Sequence, residues 1–343
     1  MDTTFPMSED ALDDLLSRPT PGVVETLSRV KGDVVLLGGG GKVGPTLARM
    51  ARRALDEAGS PHKVISISRW SDARAVETTR RHGIQTVSAD LSDPDAWADL
   101  PDAGAVLYLL GHKFGSASNP ALTWWINGVV PGFCASRYRG VPTVAYSSGN
   151  VYPFRELALG GSQEGDPVGP VGTYAQSCTA REQAFVHGAE MWGTPTTVYR
   201  LNYAVELRYG VIADIASTIA AGEPVDVTMP AVNVVWQGDS NAWSLQSLDL
   251  ARPEVAYLNG TGPETLSTRW IAEQLANAAG WELTVTGQEA PNALLSNATW
   301  CHSMFGDPTV TPRQVIDWVA RWVADGGRML GKPTKFQRRD GGF

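Results

Sequence analysis

The chain has 343 residues, is 43% hydrophobic and carries a net charge of −8 at neutral pH, which argues against a nucleic-acid partner bound through basic contacts with phosphates. No stretch approaches the roughly 18 uninterrupted apolar residues of a membrane-spanning helix, and the acidic N-terminus has the wrong charge for a secretory signal. Three scattered cysteines show no metal-binding spacing and suit a reducing compartment, so we expect a soluble cytoplasmic protein with no metal site and no membrane partner.

Residues 1–31 precede the first predicted strand. They hold one or two short predicted helices, around Ser8–Ser17 and Gly22–Val30. We interpret this segment as an N-terminal extension that packs on the domain or on a partner subunit.

A short apolar run, Val34–Leu37, stops at a cluster of glycines and is followed by a helix-compatible segment, Pro45–Ala58. Gly38, Gly41 and Gly44 stand three apart, at positions where a backbone turns sharply or approaches a ligand closely. A strand, a tight turn and a helix N-terminus together direct backbone N–H groups and the helix dipole at a pyrophosphate. The segment therefore predicts a dinucleotide-binding turn.

A phosphate-binding P-loop is the alternative interpretation of this turn. That motif needs a glycine five residues before the glycine of its Gly-Lys pair, and Ser or Thr after the lysine. Leu36 and Val43 occupy those two positions here, so the P-loop interpretation fails.

Strand-like segments alternate with helical ones over residues 32–205. The further predicted strands are Lys63–Ser68, Thr86–Asp90, Ala105–Leu110, Val141–Ser147 and Thr196–Leu201. This alternation predicts an α/β protein with a doubly wound parallel sheet.

The pattern changes over residues 206–343, which we interpret as mainly a smaller substrate-binding region and a C-terminal tail. The predicted elements there are a helix near Ile212–Ala221, a short strand at Pro224–Val227, a helix at Leu266–Ala279 with Ser267 as a possible cap, and a helix at Pro312–Ala324. The tail from Gly326 is rich in Gly, Lys and Arg and looks loop-like.

A second constellation follows the fifth predicted strand, in the segment Tyr146–Tyr152. About twenty residues later Gly172–Cys178 enters a helix that we predict to run to about Glu190. A serine at a strand end beside a tyrosine on the following helix can hold a substrate oxygen between two hydroxyls. The tyrosine is then the proton donor or acceptor, and the serine orients the substrate.

The order of these motifs resembles the extended short-chain dehydrogenase/reductase family, of the NAD(P)-dependent epimerase/dehydratase type, over roughly residues 33–285. The motifs that carry the resemblance are the glycine turn at Gly38, Gly41 and Gly44, then Asp90, Asn127, Ser147–Tyr152, Tyr174, Glu182 and Arg200–Tyr203. The resemblance implies a Rossmann-like fold and an NAD(P)-dependent oxidoreductase or epimerase that acts on a polar, sugar-like or hydroxylated small molecule.

The resemblance also implies the site residues. The catalytic candidates are Tyr174 and Ser148, with Cys178 at the position of a third family residue. The implied cofactor contacts are Gly38, Gly41, Lys42, Val43, Gly44, Ser68, Arg69, Asp90, Leu91, Leu110, Gly111, Asn127, Tyr174, Leu201 and Asn202. The implied substrate contacts are His112, Lys113, Ser148, Asn150 and Tyr203.

Cys178 departs from the family pattern, which has lysine four residues after the tyrosine. In the family that lysine bonds the nicotinamide ribose and lowers the pKa of the tyrosine, and a buried neutral thiol does neither well. Tyr174 would then serve better as a proton donor or hydrogen-bond partner than as a base.

The missing lysine leaves two alternatives: either the redox cycle is impaired, or another cation replaces the lysine. His112-Lys113 is the nearest candidate by topology, and a solvated loop lysine is the alternative interpretation.

The end of the second predicted strand bears on the choice of cofactor. Sites that prefer NAD carry an acidic residue there for the ribose 2′-hydroxyl. Here Ser68 and Arg69 follow the strand, with no carboxylate until Asp72, and an arginine can bind a 2′-phosphate. We therefore expect NADP, with NAD as the alternative.

Two further functions remain open from the sequence. One is a non-redox lyase, isomerase or cyclase on the same scaffold that uses Tyr174 as a general acid. The other is a catalytically silent NADP-binding sensor or partner protein. For any of the three functions, we expect a homodimer.

Overall fold

The computed structural model describes residues 4–113 and 115–342. Seven parallel strands form its central sheet: β1 (Val34–Leu37), β2 (Val64–Ser68), β3 (Gln85–Ser88), β4 (Ala105–Tyr108), β5 (Thr143–Ser148), β6 (Thr196–Leu201) and β7 (Ala256–Gly260). Their order across the sheet is β3-β2-β1-β4-β5-β6-β7. The direction of winding reverses between β1 and β4, and ligands of such sheets bind in the crevice outside the carboxyl ends of the strands at that reversal.

Helices cover both faces of the sheet. The α-helices in the described part of the chain are α1 (Glu9–Leu16), α2 (Pro21–Ser28), α3 (Gly44–Glu57), α4 (Ala73–Arg81), α5 (Pro120–Trp124), α6 (Val130–Arg137), α7 (Gly172–Trp192), α8 (Val211–Ala220), α9 (Gln237–Gln246), α10 (Thr268–Ala279), α11 (Thr299–Phe305) and α12 (Pro312–Ala324). Of these, α8, α10 and α12 pack on one another in the C-terminal region. A π-helical segment, Trp125–Val129, joins α5 to α6. In the described part of the chain, no helix combines the length and the apolarity needed to cross a membrane.

Short strand pairs lie outside the central sheet. They are Arg155–Glu156 with Asn292–Ala293, Ala204–Val205 with Val235–Trp236, Val225–Asp226 with Val285–Thr286, and Ala231–Val232 with Leu266–Ser267. The first two pairs tie the C-terminal region to the segments that follow β5 and β6.

The buried strands explain why this sequence forms a parallel sheet. All four residues of β1 are buried, and so are all four residues of β4, its direct neighbour. A continuous apolar run of this kind suits a strand that is covered by helices on both faces. The predicted doubly wound sheet is therefore confirmed, and β7 adds a seventh strand that the sequence analysis did not anticipate.

The N-terminal extension packs on the domain. Leu12 and Leu16 of α1 are buried in the core of the C-terminal region, whereas Val23 and Leu27 of α2 are buried in the core beside α3. The predicted helix at Leu266–Ala279 begins at Thr268, because the Ser267 hydroxyl caps it by accepting from the Trp270 N–H at 3.3 Å.

The C-terminal tail has no helix or strand among its described residues, as predicted, but it is closely packed. Thr334 bonds the Asp214 carboxylate on α8 through its N–H at 2.6 Å and its hydroxyl at 2.5 Å. Phe336 is buried in the core of the C-terminal region, and Gly341 lies against Gly172 at the start of α7. The tail thus runs from α8 to the first turn of α7.

Candidate active site

The glycine turn between β1 and α3 has a geometry that side chains would prevent. Gly38 has a φ of +86°, in the left-handed region that favours glycine, and its N–H donates to the Ile67 carbonyl at 2.9 Å. A Cβ on Gly44 would come within 2.2 Å of the Gly39 carbonyl oxygen. These two glycines let the first turn of α3 approach the end of β1.

The N-terminus of α3 fits a phosphate group. Its N-cap residue, Val43, provides no side-chain hydrogen bond, whereas Ser8 and Thr20 cap α1 and α2. The first backbone N–H groups of α3 are therefore available to an anion. A Cβ on Gly41 would meet Gly38 O at 3.3 Å, and no other heavy atom beyond its chain neighbours lies within 4 Å of it. The residues present at this turn fit the pyrophosphate of a dinucleotide.

The loops after β2 and β3 place the candidate adenosine contacts at the same edge of the sheet. Arg69 and Asp90 are exposed, and Asp90 Oδ1 accepts from the Ser92 N–H at 3.0 Å and the Ser92 hydroxyl at 2.7 Å. These two bonds, and then the charge of Arg69, hold the pKa of Asp90 below its usual range. Leu91 is different, because its side chain is buried in the core, so only its backbone is available to a ligand.

Sequence reasoning missed Trp70 at this edge. Its backbone is in the left-handed region with a φ of +47°, a conformation that costs a non-glycine residue free energy. The indole N–H donates to the carbonyls of Ser66 at 3.3 Å and Val87 at 3.0 Å, so the ring caps the ends of β2 and β3 beside the glycine turn. A tryptophan in a loop gives no sequence signal for this arrangement.

A cavity of about 180 Å³ lies where β5, β6 and α7 meet the glycine turn. It is lined by Lys42, Val43, Lys113, Ser147, Ser148, Asn150, Tyr174, Leu201, Asn202, Tyr203, Ala204, Tyr209, Gln237 and Thr334. The structure thus brings candidate catalytic, cofactor and substrate residues together in one space. Tyr209, Gln237 and Thr334 were missed, because they come from distant parts of the sequence that carry no motif.

Ser148 and Tyr174 face this cavity from β5 and α7. The Ser148 hydroxyl donates to Asn150 Oδ1 at 2.9 Å, and it accepts from the Asn150 N–H at 3.2 Å. Burial raises the pKa of Tyr174 above its usual range, and the neighbouring Cys178 raises it further, while a hydrogen bond with Ser148 and the charge of Arg181 act in the opposite direction. Tyr174 is therefore a protonated phenol at neutral pH, suited to donating a proton or a hydrogen bond.

Cys178 lies behind Tyr174 and does not line the cavity. Its side chain is fully buried against Val151 and Tyr152, and burial raises the pKa of its thiol. A neutral thiol in this position supplies no positive charge to Tyr174 and is a poor nucleophile. The structure therefore favours a packing role over a nucleophilic one for Cys178.

A buried arginine stands one helical turn beyond Cys178. Arg181 is 4% exposed, and it donates from Nη2 to Asn127 Oδ1 at 2.7 Å and from Nη1 to the Tyr146 carbonyl at 2.9 Å. The carboxylate of the next residue, Glu182, pairs with Arg200. Asn127 also accepts from the His112 N–H at 2.8 Å and donates to Ser177 Oγ at 2.9 Å. The Asn127 amide thus connects the loop after β4 to α7 through hydrogen bonds to both.

A second buried network fixes the ends of the strands around the cavity. Arg200 on β6 bonds Glu182 on α7 through two nitrogens, at 3.0 and 2.7 Å, and both side chains are at most 5% exposed. The Ser147 hydroxyl donates to Glu182 Oε1 at 2.5 Å, and Arg200 Nη1 donates to the Tyr152 hydroxyl at 2.8 Å. The pair therefore ties β5, β6 and α7 together beneath Ser148 and Tyr174.

We expect Glu182→Gln to lower the free energy of unfolding by about 3–5 kcal/mol, because it leaves the Arg200 charge buried without its partner. Urea unfolding followed by circular dichroism measures this loss. Glu190→Gln, at an exposed position on the same helix, is the matched control and should change stability by less than about 0.5 kcal/mol. Equal stability of the two variants would contradict the structural role of the Glu182–Arg200 pair.

Lys113, the candidate cation from the sequence, lies close to Tyr174. Its Nζ is 5.6 Å from the centre of the Tyr174 ring, and the residue lines the cavity. The neighbouring residue, His112, does not line the cavity, and its Nδ1 lies 3.0 Å from the Thr123 hydroxyl oxygen. Lys42 also enters the cavity, with Nζ 3.4 Å from the centre of the Tyr209 ring.

Comparison with known proteins gives one family and many similar folds. The model of the NAD dependent epimerase/dehydratase family matches residues 34–239. No curated protein matches the sequence.

Three solved structures illustrate the similarity of fold. UDP-glucose 4-epimerase from Thermotoga maritima, solved with UDP-glucose, has a TM-score of 0.71 at 16% identity, and the match covers 86% of this chain and 99% of that one. UDP-glucuronic acid 4-epimerase from Bacillus cereus, solved with NAD, has a TM-score of 0.70 at 14% identity over 85% and 99% of the two chains. The UDP-Glc/GlcNAc 4-epimerase from Campylobacter jejuni has a TM-score of 0.69 at 16% identity over 85% and 99%. At these identities, the likeness shows the fold.

Proposed function

Because this chain belongs to the NAD dependent epimerase/dehydratase family, we propose that it binds a nicotinamide dinucleotide along the carboxyl edge of the sheet and acts on a polar, hydroxylated, sugar-like molecule. One observation carries the proposal: the uncapped N-terminus of α3 and the Ser148–Tyr174 pair border one continuous cleft. The pyrophosphate would lie at Gly41 and the nicotinamide near Val43 and Leu201.

The proposed chemistry assigns each residue a defined part. The nicotinamide, when bound, supplies or accepts a hydride at the substrate carbon. Ser148 holds the substrate oxygen by a hydrogen bond, and Asn150 fixes the orientation of the serine hydroxyl. Tyr174 gives its proton to that oxygen when a carbonyl becomes a hydroxyl. Because the pKa of Tyr174 is raised, this direction is easier than the reverse one, in which a phenolate would have to accept the proton.

Hydride transfer tests the proposal. Purified protein is incubated with NAD⁺ or NADP⁺ and, in turn, with UDP-glucose and UDP-glucuronic acid, the sugar nucleotides found in two of the similar enzyme structures. Formation of reduced nicotinamide, or exchange of a deuterium label between substrate and cofactor, is the expected result. Binding of the dinucleotide without exchange for any hydroxylated substrate would contradict the redox part of the proposal.

A non-redox reaction is the second candidate. It is favoured by the neutral thiol of Cys178 at the family's lysine position and by the protonated state of Tyr174. In that case Tyr174 acts only as a general acid, and turnover proceeds without hydride exchange. The deuterium label distinguishes the two candidates, because it would stay on the substrate in the non-redox reaction.

We also propose that the cofactor is NADP, because Arg69 is exposed at the end of β2, where a 2′-phosphate would lie. Arg69→Ala should weaken NADP⁺ binding at least tenfold and leave NAD⁺ binding nearly unchanged, because it removes one charge-assisted hydrogen bond to the 2′-phosphate. Calorimetry on both cofactors measures the two affinities. Arg139→Ala, at an exposed position two residues beyond the C-terminal end of α6, is the charge-matched control. An equal loss for NAD⁺ and NADP⁺ would remove this role from Arg69.

A further inference from the structure

Arg181 holds a positive charge in the interior of the protein, one helical turn beyond Cys178 on α7. It donates to two neutral acceptors, Asn127 Oδ1 and the Tyr146 carbonyl oxygen. Neutral acceptors stabilise a buried guanidinium without cancelling its charge. Because burying a charge costs free energy that such acceptors offset only in part, stability alone does not explain an arginine at this position.

Arg181 lies on the same face of α7 as Tyr174. The two residues are seven apart, with Cys178 four residues after Tyr174, and side chains at this spacing follow one another along a helix. Helical side chains tilt toward the N-terminus of their helix, so the guanidinium extends from its own turn toward that of Tyr174. A Cβ on Gly111 would come within 3.1 Å of Arg181 Nη2, which places the guanidinium against the loop after β4.

Hydrogen bonds connect Arg181 to both elements that carry the candidate catalytic pair. Its Nη1 donates at 2.9 Å to the carbonyl of Tyr146, two residues before the end of β5. Its Nη2 donates to Asn127 Oδ1 at 2.7 Å, and Asn127 Nδ2 donates to Ser177 Oγ at 2.9 Å. The Ser177 hydroxyl in turn donates to the Tyr174 carbonyl at 2.8 Å. The charge is therefore held in a fixed position relative to the end of β5 and the first turn of α7.

The charged and titratable groups around Tyr174 show what Arg181 contributes. Burial raises the pKa of Tyr174, and the neighbouring Cys178 raises it further. The charge of Arg181 and a hydrogen bond with Ser148 lower it. Lys113 lies over the Tyr174 ring, but burial lowers the pKa of this lysine to about 8, so its charge is lost as the pH rises above that value. A guanidinium stays charged throughout, and Arg181 thus supplies a constant positive charge.

We propose that Arg181 is a positioning residue whose guanidinium provides the fixed positive charge of the Ser148–Tyr174 site. When Tyr174 gives its proton to the substrate oxygen, the electron pair of the broken O–H bond stays on the Tyr174 oxygen. The guanidinium stabilises the negative charge that forms there, which the neutral thiol of Cys178 cannot do. The inference rests on the proposed function only in taking Tyr174 as the proton donor, and it applies equally to the redox and the non-redox candidate.

Titration of a fluorinated phenol in place of Tyr174 tests this charge without cofactor or substrate. The residue 2,3,5-trifluorotyrosine ionises well below the pH at which tyrosine does, and near-ultraviolet absorbance follows its phenolate. Arg181→Gln keeps an amide donor without the charge, and Arg181→Met is the second neutral variant in case the first does not fold. Either should raise the pKa of this phenol by about one pH unit or more, whereas Arg181→Lys should shift it by less than about half a unit. A Lys113→Met background removes the titration of that lysine from the measurement.

Arg52→Gln is the matched control. Arg52 is an arginine of α3 whose side chain is 13% exposed and donates to the His62 carbonyl, and it does not line the cavity. This variant should leave the pKa of the fluorinated phenol unchanged. An unchanged pKa in the neutral Arg181 variants would overturn the inference. An equal rise in Arg181→Lys would also overturn it, because packing rather than charge would then be the cause.

Turnover separates the charge from binding of the ligands. In the deuterium-exchange assay with UDP-glucose, Arg181→Gln and Arg181→Met should lower kcat about tenfold or more and leave KM and NADP⁺ affinity within about threefold, and Arg181→Lys should recover most of the loss. A loss that appears in KM or in NADP⁺ affinity instead of kcat would show a merely structural role and overturn the inference. Absence of exchange in the wild type would instead contradict the redox part of the proposed function, and the phenol titration would still decide the role of Arg181.

Discussion

Gly41→Asp is expected to weaken binding of NADP⁺ and NAD⁺ at least a hundredfold. The substitution adds a Cβ that faces the open side of the turn and a negative charge beside the proposed pyrophosphate. A carboxylate there also competes for the uncapped N–H groups at the start of α3. Fluorescence or calorimetric titration of both cofactors measures the loss, and the melting temperature shows that the variant is folded.

Two variants separate the causes of this loss. Gly41→Ala adds the Cβ without the charge and should weaken binding much less than Gly41→Asp does. Gly165→Asp adds the same charge at an exposed glycine with no heavy atom near its Cβ, and it should leave binding unchanged. Wild-type affinity in a folded Gly41→Asp variant would contradict the placement of the dinucleotide at this turn.

Tyr174→Phe is expected to lower turnover about 10²–10⁴-fold, the usual contribution of a general acid, and to leave cofactor affinity nearly intact. The raised pKa of Tyr174 also predicts a pH profile. In the direction that consumes the tyrosine proton, the contribution of this residue should stay constant from pH 6 to 9, because the phenol remains protonated over that range. Turnover measured for wild type and variant across these pH values tests both statements.

Tyr138→Phe is the matched control for the hydroxyl. Tyr138, the residue that follows α6, is also buried, and its hydroxyl donates to the Pro101 carbonyl at 3.1 Å. It does not line the cavity. This variant should keep wild-type turnover. If Tyr174→Phe also kept it over the whole pH range, the reacting group would have to be sought elsewhere in the cavity.

Local patterns in the sequence were sufficient to predict the fold and to indicate Ser148 and Tyr174 as the candidate catalytic pair. The buried apolar run of β1, the spacing of Gly38, Gly41 and Gly44, and the alternation of strands and helices are short-range signals, because each depends on the chain within one turn or one element. Family membership follows from the same motifs, and the sequence alone shows that Cys178 stands four residues after Tyr174. By contrast, β7 went unpredicted, since a strand at the edge of a sheet is defined by its partner β6 as much as by its own residues.

The tertiary structure decided which charged side chains surround Ser148 and Tyr174. Nothing in the sequence distinguishes Arg181 from an ordinary polar residue of a helix. Only the packing of α7 in the tertiary structure buries its side chain beside Asn127. The side chain of Lys42 lies over the ring of Tyr209, a contact that no motif in the sequence indicated. Thr334 belongs to a tail without helix or strand, and its bonds to Asp214 bring it to the cavity. Sequence patterns report the elements that residues form, whereas the direction of a side chain and its electrostatic surroundings depend on contacts between segments that lie far apart in the chain.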